Sequence, residues 1–451
     1  MSKLRATSGP VMENRAMRIV RTPLIVLSLV ALVLGAVPAT AAEPHAAPPA
    51  YQDHAAIRIL SDAELDREHG VRSGNGTARR PYVISGWHVP SLLIADTSKH
   101  VVIRDNRIDG LLVLDWMGPH VHVHGNQAGD LRVNRNIART GSAAGGTIAH
   151  NRFGIVGQLR HFDGVFQHNV VGSPAPKGLG RRYDFQAVQF DGFNGARFVD
   201  NVVYGRVEAR LHGHHHGSGF GQPSHQHVAH HGGMGRVDHS RRYHEVWIAR
   251  NTIHSDSAHA LRYFDVGHAD NDRTNNSETD RALIGPHIHF TRIHLVGNRL
   301  VGSGLAVQVF NHPDEYHTGS TRGLIEVRGN RITLHDPEFD AAAARHGINI
   351  HSVRDADVRV VGNVIEAPPA GKLKPFTVLA SLGRAAGLRI VGMDEGRVWL
   401  YDNRVVNRYY GIFAADLHEN VRWWIRGLVT DGVREDVHAE GSVRNPPVRQ
   451  G

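Results

Sequence analysis

A short strand that alternates apolar and polar residues, ends in Asn and resumes with an aliphatic residue recurs along the whole chain. It appears as Val101-Val102-Ile103-Arg104-Asp105-Asn106-Arg107-Ile108 and as Val121-His122-Val123-His124-Gly125-Asn126. It returns around Asn151, Asn169 and Asn201, then as Val246-Trp247-Ile248-Ala249-Arg250-Asn251-Thr252-Ile253. Later copies end at Asn298, Asn330 and Asn363, and the last is Val398-Trp399-Leu400-Tyr401-Asp402-Asn403-Arg404-Val405. Such a copy reads as two short strands joined by a sharp bend. Asn tolerates the left-handed backbone that a bend needs, and stacked Asn side chains can hydrogen-bond from one copy to the next.

A second strand alternates with the first. It reads Ala187-Val188-Gln189-Phe190-Asp191, Ala260-Leu261-Arg262-Tyr263-Phe264-Asp265, Ala306-Val307-Gln308-Val309-Phe310-Asn311 and Gly347-Ile348-Asn349-Ile350-His351. Period-2 alternation predicts Val188, Leu261, Val307 and Ile348 inside and Gln189, Arg262, Gln308 and Asn349 outside. One repeat is then this strand, a variable loop and the Asn-bend pair.

The pattern resembles the right-handed parallel β-helix proteins, a group that includes pectate lyases, polygalacturonases and the copper-accessory proteins of nitrous oxide reductase. The resemblance covers roughly residues 75 to 430, and the segment from Gly74 to Trp87 looks like the opening of many secreted members. It implies an all-β, right-handed, single-stranded parallel β-helix. Carbohydrate chemistry or copper delivery follows as an expected function, since this fold hosts enzymes, binders and adhesins alike.

The ends and interruptions are read from local signals. Arg18 and Arg21 precede an apolar run from Leu24 to Val37, and Ala39-Thr40-Ala41 follows. This predicts a signal peptide over residues 1–42, with Met17 an alternative start, and secretion or a periplasmic location. The apolar run is too short to leave a stable membrane span. A linker is expected over 43–60, the solenoid over 61–430 and a loose tail over 431–451. Ser61-Asp62-Ala63-Glu64 fits a capping box and predicts a short N-terminal capping helix that Gly70 closes. Insertions are expected at 211–243, 266–286 and 312–323.

No Cys is present, so disulfides and thiolate sites are excluded. Of the formal net charge of +8, half lies in the predicted signal segment, through Lys3, Arg5, Arg15, Arg18 and Arg21 against Glu13. The modest remaining excess suits an acidic polymer and gives no nucleic-acid footprint.

Two groups of residues carry candidate chemistry. Asp191, Arg262 and Asp265 are candidate catalytic groups, with Gln189, Gln308, Asn311, Asn349 and His351 as substrate-binding neighbours. Strands about 4.8 Å apart bring side chains from adjacent repeats within reach of one sugar ring. Two carboxylates suit a hydrolase, and Arg262 as base suits a lyase acting beside a uronate carboxyl. A plain polar ladder on a solvated face explains the same residues. The second group is His212, His214, His215, His216, His225 and His227, followed by His230, His231, His239 and His244 in a Gly-rich segment. Neutral imidazoles at these positions can ligate Cu or Zn. The His-Glu-x-x-His zinc motif is absent. Asp270, Asp272, Asn276 and Glu278 offer oxygens for Ca without the full EF-hand spacing. The expected partner is an acidic polysaccharide, the alternatives being metal handling and an inert solenoid.

Overall fold

In the computed structural model the chain is a parallel β-helix. The structure describes residues 50–115, 120–134, 146–160, 162, 164, 165–174, 186–191, 196–212, 244–255, 259–266, 291–310, 323–335, 346–353, 356–369, 385–440 and 448–449. The predicted signal segment and the body of each predicted insertion lie outside these residues. Every pairing between named strands is parallel, and each strand pairs with its counterpart in the next coil.

Three strand positions make a coil: one before the Asn bend, one after it, and a third. Inward positions stack from coil to coil. Ile103, Val123, Ile148, Phe166, Phe198, Ile248, Leu295, Val327, Val360, Leu400 and Ile425 form one continuous column. All are buried, and the rings of Phe166 and Phe198 stack at 5.3 Å. Burying one such side chain contributes about 1.5–3 kcal/mol. No coil can bury its apolar face alone, so the repeat itself supplies the core.

The Asn series forms a second buried column. After Asn106, each Oδ1 accepts from the backbone N–H and from the Nδ2 of the Asn one coil earlier, as Asn126 does from Asn106 at 3.1 and 3.0 Å. The same Nδ2 also donates to a backbone oxygen of the coil before, as Asn106 does to Ile84 at 3.0 Å. The ladder runs unbroken from Asn106 to Asn403. Sequence separations along it range from 18 residues, Asn151 to Asn169, to 50, Asn201 to Asn251. Loop length varies outside while the coil cross-section stays constant at the bend.

The left-handed residue of the bend is the one before the Asn, which corrects the sequence reading. Positive φ falls on Asp105, Gly125, His150, His168, Asp200, Arg250, Gly297, Gly329, Gly362 and Asp402. The bend turns there, so the following Asn side chain enters the interior and joins the ladder.

The N-terminal cap is smaller than predicted. Asp62–Glu64 is one 3-10 turn, and Ser61 makes no side-chain cap bond. Glu64 instead accepts from the Leu60 N–H at 2.6 Å, and Asp62 accepts from Thr97 and Ser98 hydroxyls, each at 2.6 Å. These contacts use the polar atoms that a longer helix would need for its cap. Strand pairing already starts at Gln52–Asp53, and Glu435–Glu440 still pairs with Tyr410–Ala415, beyond the expected limits on both sides.

Candidate functional site

Val188, Leu261, Val307 and Ile348 are buried in the core, as the alternation predicts. The register differs in one respect. Val188, Val207, Leu261, Leu305 and Ile348 share one inward column, while Val307 lies in the next, between Tyr263 and Ile350. Gln308 therefore pairs with Phe264 and His351, not with Arg262 and Asn349. Gln189, Glu208, Arg262, Ala306 and Asn349 share one register column, and Asp191, Arg210, Phe264, Gln308 and His351 share another. Asp265 pairs with Leu211 and Val309, out of phase with both columns.

The side chains of Asp191, Arg262, Asp265 and Gln308 lie outside the described residues, as does Asn311. Gln189 and His351 are partly exposed. The Arg262 column is not the open face that alternation alone suggests. Glu208 is 3% exposed, Ala306 1%, Asn349 7% and Phe413 1%. Asn349 accepts from Arg389 Nη1 at 2.8 Å. Further along the same face Ala386, Tyr410, Phe413 and Ala415 pack into an apolar cluster of their own, outside the solenoid core. Outward residues there are covered, so outward does not mean wet.

Of the predicted histidines, His212 pairs with Val266 in register, its side chain outside the described residues. His214, His215, His216, His225 and His227 lie outside them entirely, as do Asp270, Asp272, Asn276 and Glu278. Among the described residues no group of three His, Asp or Glu can hold a metal ion. No described helix is long and apolar enough to cross a membrane.

A polar face, open along its second half, lies instead on the strands that precede the Asn bend. Its central column runs through six successive coils: Trp247, His294, Glu326, Arg359, Trp399 and Trp424. The flanking column is Glu245, Arg292, Leu324, Asp357, Arg397 and Arg422. Alternation places them, since Val421, Trp423 and Ile425 fill the core while Arg422, Trp424 and Arg426 point away from it.

The first half of this column is engaged in contacts of its own. His294 stacks on Trp247 at 4.0 Å and 11°, and its Nδ1 donates to Glu326 Oε2 at 2.7 Å. Its Nε2 faces Glu245 Oε1 at 3.2 Å, off the hydrogen-bond angle. Arg328 adds a 3.3 Å contact to Glu326.

The second half is aromatic and cationic. Trp399 and Trp424 stack at 5.5 Å and 12°. The Arg359 and Arg397 guanidinium carbons lie 5.4 and 5.2 Å from the Trp399 ring centroid, and that of Arg426 lies 4.5 Å from Tyr401. Arg397 also clamps Asp357 bidentately at 3.0 and 2.6 Å, a bond that raises the Arg397 pKa further. Arg359 and Arg422 are exposed and have no carboxylate partner among the described residues. Ring contact steers a guanidinium while leaving its N–H donors for an incoming anion.

Sequence reasoning passed over this face. The signal was there: Trp247, Trp399 and Trp424 each occupy an outward phase of the repeat, where a large apolar ring is out of place unless it stacks or binds.

In comparisons with known proteins, no family model matches the chain, and neither a curated protein nor a solved structure matches it.

Proposed function

We propose that this chain is a glycan-binding β-helix that takes an extended acidic polysaccharide along the outward face of its pre-bend strands, outside the cytoplasm. The reading is carried by the patch of Arg359, Arg397 and Arg422 around the stacked Trp399 and Trp424. Guanidinium groups recognise carboxylates or sulfates through charge-assisted hydrogen bonds. Aromatic rings offer apolar surface to the C–H faces of sugar rings. Coils about 4.8 Å apart repeat these groups in a line, which matches a polymer better than a compact ligand. The predicted export signal supports the location.

Retention on gels containing polygalacturonate or uncharged dextran tests the reading. Retardation by the acidic polymer alone is expected, weakened about three- to tenfold in Arg359→Ala/Arg422→Ala. Equal mobility in both gels would reject it.

A further inference from the structure

Toward the N-terminus the same strand face changes its chemistry from guanidinium to imidazole. His100 and His120 precede the strands Val101–Arg104 and Val121–His124, which pair in register. Val101 N–H donates to the His120 carbonyl at 3.0 Å, and the two imidazole centroids lie 4.3 Å apart. His122 lies between Val102 and Thr147, and His124 between Arg104 and Ala149. His122 is exposed, and the other three are partly exposed.

The charges around this group are few. Lys99 lies 4.0 Å from Asp62, and Arg104 lies 3.4 Å from Asp105. Asp62 is already held by Thr97 and Ser98. Val83 and Ser85 face the group from the preceding coil, Thr147 from the following one, and the stacked imidazoles of His150 and His168 stand at the adjoining bend. Among these described groups no carboxylate bonds to any of the four imidazoles. Partial desolvation against the sheet holds His120 and His122 below the ordinary histidine value, and His100 lowers both further. For His122, His124 and His120 act in the same direction. Protonating them packs positive charge onto one small surface that nothing described neutralises.

We propose that His100, His120, His122 and His124, with Arg104, form a second polyanion-binding patch that engages sulfate or carboxylate groups when the imidazoles are protonated. An anionic polymer laid across Val101–Arg104 and Val121–His124 offsets their mutual repulsion, so binding and protonation reinforce each other. The ligand class rests on the functional reading above; the site itself does not.

Dextran sulfate is the probe, because its charge does not change across the range tested, with uncharged dextran as control. Binding is measured at about pH 5 and about pH 7.5. Native protein should bind on the order of tenfold tighter at the lower pH. His122→Gln/His124→Gln and His100→Gln/His120→Gln should each lose most of that gain while keeping native binding at the higher pH. Arg359→Ala/Arg422→Ala should do the reverse. An acid-dependent gain undiminished in both histidine variants, or no gain in the native protein, overturns the proposal. A gain that depends on the histidines, with no binding at the higher pH, upholds this site and rejects the arginine–tryptophan patch instead.

Discussion

The side-chain oxygen of Asn298 accepts both the backbone N–H and the Nδ2 of Asn251, 47 residues earlier, each at 3.0 Å. Asn298 Nδ2 in turn reaches the Ile248 oxygen at 2.8 Å. Removing this carboxamide strands two buried donors and one buried acceptor. Asn298→Ala should therefore cost about 3–5 kcal/mol, read from the denaturant midpoint. Asn298→Asp should cost at least as much near neutral pH, because a carboxylate oxygen would then face the Ile248 carbonyl. A loss near that of a surface substitution in both variants would mean that the ladder does not hold the coils.

A steric column governs the other corner. A Cβ at Gly304 would fall on the carbonyl oxygens of His346 and Gly347, and one at Gly347 would lie 2.5 Å from Ile365 Cγ2 and 2.7 Å from the Gly387 oxygen. Backbone cannot swing aside as a flexible side chain can. Gly304→Ala should lower stability by about 1–3 kcal/mol, and the thermal midpoint is the measurement. Gly329→Ala, with open space around its Cβ, should lose only what its φ of 61° imposes, about 1 kcal/mol.

How far these features are legible in the sequence differs from element to element. The Asn column is visible because each copy puts the same polar residue at the same phase of an otherwise apolar inward strand. Which residue of the bend is left-handed is not legible, since Asn and a preceding Asp, His or Gly both tolerate positive φ, and only the ladder fixes which side chain turns inward. The two-residue shift at Val307 has a local cause: Ala306-Val307-Gln308 mimics Ala187-Val188-Gln189, whereas a bulge that skips Ala260 aligns Leu305 with Leu261. The burial of Asn349 and Glu208 is not legible, because alternation alone places both away from the core and says nothing of their neighbours Arg389 and Arg206. The tryptophan–arginine face is readable from phase, because Trp247, Trp399 and Trp424 sit at outward positions of the repeat.

The N-terminal coils should respond to pH through His88. Its imidazole is held by Asp109 at 2.9 Å and Asp53 at 2.8 Å, which tie adjacent coils together. Asp109 first and then Asp53 raise the His88 pKa, and His88 lowers that of Asp109. The histidine's contribution is thus complete below about pH 6.5 and is lost as pH rises through the raised value. The carboxylate's contribution is present above about pH 3.9 and is lost as pH falls through the lowered value. Hydrogen exchange should report it. The His54 amide, which donates to the His88 carbonyl at 3.0 Å, should lose protection as pH rises past neutrality. In His88→Asn that added pH dependence should vanish; its persistence would assign the effect elsewhere.

Trp424 should matter to binding more than to folding. It is partly exposed and stacks on Trp399, while its neighbour Trp423 is 2% exposed in the core. Trp424→Ala should weaken retention of polygalacturonate about threefold or more with a small change in thermal midpoint, whereas Trp423→Ala should cost about 3–5 kcal/mol of stability. The opposite pattern would place Trp424 in a purely structural ladder.

The most direct test of the binding account is the salt dependence of polygalacturonate affinity, measured by calorimetry on native protein and on Arg359→Ala/Arg422→Ala. Contacts between exposed guanidinium groups and carboxylates are screened by salt. Native affinity should fall steeply as salt rises, and the variant should bind more weakly with a visibly shallower slope. Equal affinity and equal slope in the two proteins would contradict the assignment of this face as the polymer site.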